Sequence, residues 1–97
     1  DAIVHHYATD VEFTSPFVSA LSGEASGTIC GREALSAYFR KGLQAYPDLH
    51  FELIRTLIGV DSLVLYYRSV TGLLAAEMMI INGEGQIHTV RVHYVKE

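Results

Sequence analysis

The spacing of apolar and polar residues along the chain predicts one long helix followed by four strands. Over residues 32–46 the apolar side chains recur at intervals of three and four residues, which is the spacing of one buried helix face. After Pro47 the apolar residues form four shorter stretches, and we predict strands at 49–58, 62–71, 73–82 and 86–95. The connections between these stretches are short and contain glycine, and connections of this length join antiparallel neighbours.

The first thirty residues carry a weaker pattern. Residues 1–9 are typical of the end of a helix, and Val11–Ser15 alternates as a strand does before Pro16 ends it. Residues 18–30 are rich in glycine and serine, and we predict a loop there. A loop of that length in a small domain is more often a lid or a binding segment than a simple connector. The predicted class is α+β, with helices on one face of a curved antiparallel sheet.

Glu77 is the most informative single residue, because it stands alone within the apolar run from Leu73 to Ile81. An ionised carboxylate is expensive to bury without compensation. The residue therefore keeps its proton to unusually high pH, or it meets a specific donor or cation. Carboxyl groups of this kind occur at active sites, but structural networks perturb them as well. The alternatives are a structural Glu bonded to a buried Tyr or Arg, and a Glu that faces solvent at a strand edge.

The predicted strands at 62–71 and 73–82 are apolar on both of their faces. On the second of them, Leu74, Met78 and Ile80 would lie on the face opposite to Glu77. A sheet that is covered on one side only should carry polar residues on its other side. We therefore expect a homodimer in which two copies pack sheet against sheet.

The composition narrows the classes of function. The chain has 97 residues, so we assign 1–97 to a single domain, and its apolar fraction of 49% is typical of a folded protein. A net charge of −4 with seven scattered basic residues argues against nucleic acid as a partner. No apolar run reaches the roughly 18 residues that a membrane span needs. One cysteine, Cys30, cannot form an internal disulfide, and we expect a cytoplasmic location.

The histidines and glycines do not form a recognisable metal or phosphate motif. His5 and His6 are adjacent and would diverge on a helix, and the other three histidines lack ligand spacing. No Lys-Ser or Lys-Thr pair follows the regularly spaced glycines at 23, 27 and 31, as a phosphate-binding loop requires. We therefore expect neither a metal nor a cofactor.

Three segments resemble the ketosteroid isomerases: Tyr7 to Phe17, Gly31 to Leu43 and Gly85 to Tyr94. The segment from Tyr46 to Phe51 is more similar to SnoaL-like polyketide cyclases, and both groups belong to the nuclear transport factor 2-like superfamily. The resemblance spans nearly the whole chain. It implies a cone-shaped antiparallel sheet wrapped on helices, a cystatin-like α+β barrel, with an apolar pocket open at one end. It also places a first helix upstream of Asp1, outside this sequence.

The resemblance also suggests roles for individual residues. In ketosteroid isomerases a carboxylate base moves a proton on a steroid enone, while a Tyr and a protonated carboxylic acid donate to the enolate oxygen. Counted back along the last hairpin, Glu77 corresponds to that acid. The base position, immediately before Pro16, carries Ser15, whose hydroxyl has no ionised form near neutral pH. Tyr7 corresponds to a supporting Tyr, whereas Phe39 stands where a second supporting Tyr is expected.

These observations predict a pocket for a small, largely apolar carbonyl compound. Glu77 would be its acid, proton donor or oxyanion partner, and Ser15 would be a polar contact opposite. The expected ligand-binding residues are Tyr7, Phe13, Phe17, Tyr38, Met79, Val90, Val92 and Tyr94. The implied reaction is isomerisation or cyclisation by proton transfer. The alternatives are a non-catalytic module that binds an apolar ligand, which Ser15 favours, and a dimeric interaction module.

Overall fold

Two helices and one six-stranded sheet make up residues 5–69 and 72–96, the part of the chain that the structure, a computed structural model, describes. The elements in chain order are β1 (Tyr7–Thr14), α1 (Pro16–Ser22), β2 (Thr28–Cys30), α2 (Arg32–Ala45), β3 (Glu52–Ile58), β4 (Ser62–Arg68), β5 (Leu74–Ile81) and β6 (Ile87–Tyr94). The strands lie in the order β2-β1-β6-β5-β4-β3. This arrangement is the predicted α+β class.

The helix predicted over residues 32–46 and the four predicted strands that follow it are confirmed within a few residues at the ends that the structure describes. The strands from β3 to β6 pair with their neighbours in the chain, and each pair is antiparallel, as the short connections require. One pairing differs from the antiparallel expectation, since β1 runs parallel to β6, with Phe13 opposite Val90. No turn joins these two strands, so the turn residues contain no information about their direction.

The N-terminal third differs from its prediction. β1 already begins at Tyr7, so the helix predicted over residues 1–9 is wrong for residues 7–9, while residues 1–4 lie outside the described residues. The loop predicted over 18–30 is also wrong, because this segment contains most of α1 and all of β2. Elements of seven and three residues are too short to produce a recognisable period in the sequence.

Local chemistry nevertheless fixes where α1 begins and ends. The Ser15 side-chain oxygen accepts a hydrogen bond from the Phe17 N–H at 3.2 Å, which caps the helix. Pro16 occupies the first turn, where a missing N–H costs nothing. Gly23 ends the helix with a φ of 74°, a left-handed conformation that glycine adopts without strain.

The hydrophobic core lies between the helices and one face of the sheet. Val11, Val18, Leu35 and Val90, from β1, α1, α2 and β6, have no exposed surface. The alternation predicted for β1 is confirmed, because its residues that face the helices are buried and Glu12 is exposed. No helix within the described residues has the length and apolar character needed to cross a membrane.

Candidate functional site

A cavity of about 500 Å³ lies between the two helices and the helix-covered face of the sheet. This volume suits a small organic ligand. Eight of the ten predicted site residues line it, namely Glu77, Ser15, Tyr7, Phe13, Phe17, Tyr38, Val92 and Tyr94. The alternation of the strands and the spacing of α2 therefore bring these residues into one site.

Met79 and Val90 do not line the cavity, contrary to the prediction. They are opposite each other on β5 and β6, and they are 9% and 0% exposed. Both belong to the core cluster that includes Leu35. Their side chains are on the predicted face of the sheet, but they lie farther along their strands, where core side chains fill the space.

Glu77 supplies the only charge among the described residues that line the cavity. It lies on β5 between Leu65 of β4 and Val92 of β6. Burial raises the pKa of the Glu77 carboxyl, and the hydrogen bond from Tyr67 opposes this rise without cancelling it. The Tyr67 hydroxyl donates to Glu77 Oε1 at 2.8 Å. The site therefore holds a carboxyl group that keeps its proton to a higher pH than an exposed Glu.

The sequence left open a buried Tyr as the partner of Glu77 without identifying which one, and the structure shows that it is Tyr67. Tyr66 and Tyr67 are adjacent, so they point to opposite faces of β4. In the observed register Leu65 lies opposite Glu77 and Tyr67 lies opposite Ala75, which puts Tyr67 and Glu77 on one face. The signal that could have identified Tyr67 is this register, and the sequence of the hairpin does not specify it to within one residue.

Four of the five tyrosines that line the cavity, Tyr7, Tyr38, Tyr67 and Tyr94, have a raised pKa, and each of these four is expected to remain neutral. Burial is the main cause of the raised pKa at each of them, and the negative charge of Glu77 adds to it. The pKa of Tyr7 and that of Tyr38 rise to about 12, and those of Tyr67 and Tyr94 rise as well. These groups are therefore hydrogen-bond donors rather than bases across the physiological range.

Ser15 lies at the predicted site but already has a structural role. Its residue is 2% exposed, and its hydroxyl oxygen accepts the Phe17 N–H that caps α1. Proximity to the Ser15 hydroxyl moderates the raised pKa of Tyr38 and of Tyr94. The part of the chain that the structure describes has no group of three or more His, Cys, Asp or Glu side chains able to hold a metal ion.

Comparison with known families matches the SnoaL-like domain over residues 1–95. The chain belongs to the SnoaL-like family. A SnoaL-like protein of unknown function from Burkholderia thailandensis is 42% identical, with a TM-score of 0.92 over 99% of this chain and 80% of that chain. Comparison with curated proteins gave no match.

More distant solved structures share the fold of this SnoaL-like protein. A steroid delta-isomerase from Pseudomonas aeruginosa is 19% identical, with a TM-score of 0.75 over 99% of this chain and 67% of that chain. A protein with a cystatin-like fold from Silicibacter pomeroyi is also 19% identical, with a TM-score of 0.74 over 97% of this chain and 62% of that chain. The family match confirms the predicted SnoaL-like assignment, and these shared folds confirm the predicted cone-shaped α+β fold.

The raised pKa of Glu77 predicts how the stability of the SnoaL-like protein depends on pH. In the unfolded chain Glu77 titrates near 4.5, and in the folded protein its pKa is higher. Between these two values the folded state binds more protons, so the free energy of unfolding falls as pH rises. Once the pH exceeds the folded pKa, each unit by which this pKa is raised has lowered the free energy of unfolding by about 1.4 kcal/mol. Glu77→Gln should therefore gain stability over the wild type as pH rises, measured by urea unfolding across this window. A stability difference that does not change with pH contradicts the raised pKa.

Proposed function

We propose that this SnoaL-like protein binds a small, largely apolar carbonyl compound and that protonated Glu77 donates a hydrogen bond to the carbonyl oxygen. The observation that carries this proposal is a single half-buried carboxyl group in an otherwise apolar and aromatic cavity. Since Tyr67 donates to Oε1, the proton of the neutral acid is favoured on Oε2. That proton is then available to the ligand.

This arrangement supports proton transfer next to the carbonyl group. A solvent base, hydroxide or a buffer anion, takes a proton from the neighbouring carbon, the C–H electron pair forms the enolate, and Glu77 stabilises the developing negative charge on oxygen. Return of the proton to another carbon isomerises the compound. Attack of the enolate carbon on a second carbonyl carbon closes a ring instead, with the proton passing to the new alkoxide.

A second candidate function is non-catalytic binding of the same class of compound. The observation that favours it is Ser15, whose hydroxyl caps α1 and cannot act as a resting base. No second carboxylate and no histidine is found among the described residues that line the cavity. In this alternative the cavity carries or senses its ligand, and Glu77 only orients the carbonyl group.

A thermal-shift screen against steroids, cyclic enones and aromatic polyketides tests ligand binding, the step that both candidate functions share. A ligand present at a hundred times its Kd stabilises the folded protein by about 2.7 kcal/mol. The affinity of a carbonyl ligand should fall as pH rises through the pKa of Glu77, because ionisation removes the donated proton. Absence of any stabilising compound across the panel contradicts the proposal.

Exchange of deuterium into a ketone ligand then tells whether the protein is an enzyme or only binds its ligand. Wild-type protein that accelerates exchange at the carbon next to the carbonyl is catalytic. If only Ser15→Asp accelerates exchange, the natural protein is a binder, because Asp keeps the capping function and adds the absent base.

We further propose that two copies pair through the sheet face opposite to the helices. Leu57, Val64 and Met78 are neighbours across three strands on this face, and Leu57 is 56% exposed. Tyr66 and Ile80 are on the same face and are half-buried. A contiguous apolar surface of this kind marks an interaction site, and a twofold pair buries it with one self-complementary contact.

Val64→Glu is expected to convert the dimer to a monomer, because it places a charge in the middle of this apolar face. Val64→Thr is the matched control, since threonine has the same shape and no charge. Sedimentation equilibrium measures the mass of both variants and of the wild type. A wild-type protein that is monomeric at micromolar concentration contradicts the dimer.

A further inference from the structure

We infer that the same cavity also accepts a hydrophobic ammonium compound, a tertiary or quaternary amine, with the ionised carboxylate of Glu77 as its counter-ion. This second ligand class rests on the proposed role of the cavity as a binding site and requires no catalytic step. It differs from the carbonyl class in charge and in the protonation state that it selects at Glu77.

The first observation behind it is that no cation faces Glu77 among the described residues. The cavity lining contains no Lys, Arg or His. Arg32 of α2 donates to the Tyr7 carbonyl oxygen instead, with its Nε at 3.1 Å and its Nη2 at 2.9 Å. The described ion pairs join other residues, Arg68 with Glu52 and His88 with Asp10. A ligand that brings a positive charge would supply the partner that a buried carboxylate needs.

The second observation is the abundance of aromatic side chains around this carboxyl group. Nine of the eighteen residues that line the cavity are Phe or Tyr. Several of these rings pack against each other, since Phe13 and Tyr38 have centroids 5.6 Å apart and Phe51 and Tyr67 have centroids 5.3 Å apart. Aromatic rings attract organic cations, and cages of such rings are a known way to bind quaternary ammonium groups.

The two features together favour an alkylated ammonium over a primary one. A primary ammonium group is strongly hydrated and would lose that hydration in an apolar cavity. The alkyl groups of a tertiary or quaternary ammonium spread the charge over an apolar surface, which fits the Phe, Tyr and Leu lining. The carboxylate of Glu77 then neutralises the charge within the cavity.

The pH dependence distinguishes the two ligand classes. The titratable groups that face Glu77 are Tyr67 from β4, Tyr94 from β6, Tyr7 from β1 and Tyr38 from α2, and the raised pKa of each keeps it neutral. Glu77 is therefore the group that changes charge. A fixed cation prefers ionised Glu77 and should bind more tightly as pH rises through the pKa of this carboxyl, whereas a carbonyl ligand should bind less tightly.

The test compares benzyltrimethylammonium with neopentylbenzene, an uncharged hydrocarbon of the same shape. At the alkaline end of a pH series, where Glu77 is most ionised, calorimetric titration should give at least about tenfold tighter binding of the cation. Glu77→Gln should abolish this preference. Glu84→Gln is the matched control, because it removes one carboxylate from an exposed turn and should keep the preference.

Three results overturn the inference: the cation binds no better than the hydrocarbon, its preference survives in Glu77→Gln, or its affinity in the wild type does not rise with pH. The last measurement needs no variant and remains valid if Glu77→Gln fails to fold. Carbonyl ligands that bind while the cation does not would leave the proposed function standing and remove only the ammonium class. Failure of all these compounds to bind would overturn both.

Discussion

Replacement of Glu77 by glutamine is expected to lower the turnover of a carbonyl substrate, because an amide N–H is a weaker donor to a developing oxyanion than a neutral carboxylic acid, with the roughly 10²- to 10³-fold effect of removing such a donor altogether as the upper limit. Glutamine has nearly the same size, and its amide oxygen can accept the hydrogen bond that Tyr67 now donates to the carboxyl. The amide is a far weaker acid than a carboxyl group, so it cannot transfer a proton. The fold should therefore be preserved while turnover falls.

The same substitution should have a smaller effect if the protein only binds its ligand. The amide N–H still donates to a carbonyl oxygen, and a neutral hydrogen bond contributes about 1 kcal/mol, so affinity should change by about fivefold or less. Turnover and Kd measured side by side for the wild type, Glu77→Gln and Glu84→Gln separate the cases. Unchanged turnover and affinity in Glu77→Gln, with altered stability alone, would mean that Glu77 is a structural residue.

Leu35→Ala is expected to cost about 3 kcal/mol in the free energy of unfolding, within the range measured for buried leucines. Leu35 is fully buried on α2 and belongs to the core cluster that includes Val11 and Val90. Truncation to alanine leaves a cavity that closes only if α2 moves closer to the sheet. In a domain of this size a loss of 1 kcal/mol lowers Tm by about 4–8 °C, so the melting temperature should drop by more than about 10 °C.

Leu43→Ala on the same helix is the matched control. Leu43 is 55% exposed at the cavity, and alanine is at least as good a helix former, so its unfolding free energy should change by less than about 1 kcal/mol. Urea unfolding of both variants gives the comparison directly. Equal losses for the two leucines would contradict the placement of the core between α2 and the sheet.

Long periodic elements were the part of the fold that the sequence could predict. The helix now called α2 has 14 residues, enough for several repeats of its apolar spacing, and the four later strands are bounded by glycine-containing turns. The N-terminal third could not be predicted in the same way, because α1 and β2 are too short to show a period. Moreover, the parallel pairing of β1 with β6 joins strands with no shared turn.

The site was predictable to the extent that it depends on alternation along single strands. The solitary Glu77 and the inward faces of β1 and β6 followed from the order of residues, and the resemblance to ketosteroid isomerases pointed to the same carboxyl group. Met79 and Val90 show the limit of this reasoning. Alternation identifies the face of a strand that a side chain occupies, but it does not tell how far along the strand the core ends and the cavity begins.

By itself, the sequence thus determined the family, the main helix, the antiparallel meander and the one carboxyl group that stands alone in an apolar strand. The tertiary structure decided which partner this carboxyl group meets, because a shift of one residue between β4 and β5 exchanges Tyr66 for Tyr67 on the inner face. It also decided that no cation lies beside Glu77 among the described residues that line the cavity. The partner of Glu77 depends on the register between two strands, and the composition of the cavity lining depends on contacts between several elements, and neither leaves a periodic trace in the order of the amino acids.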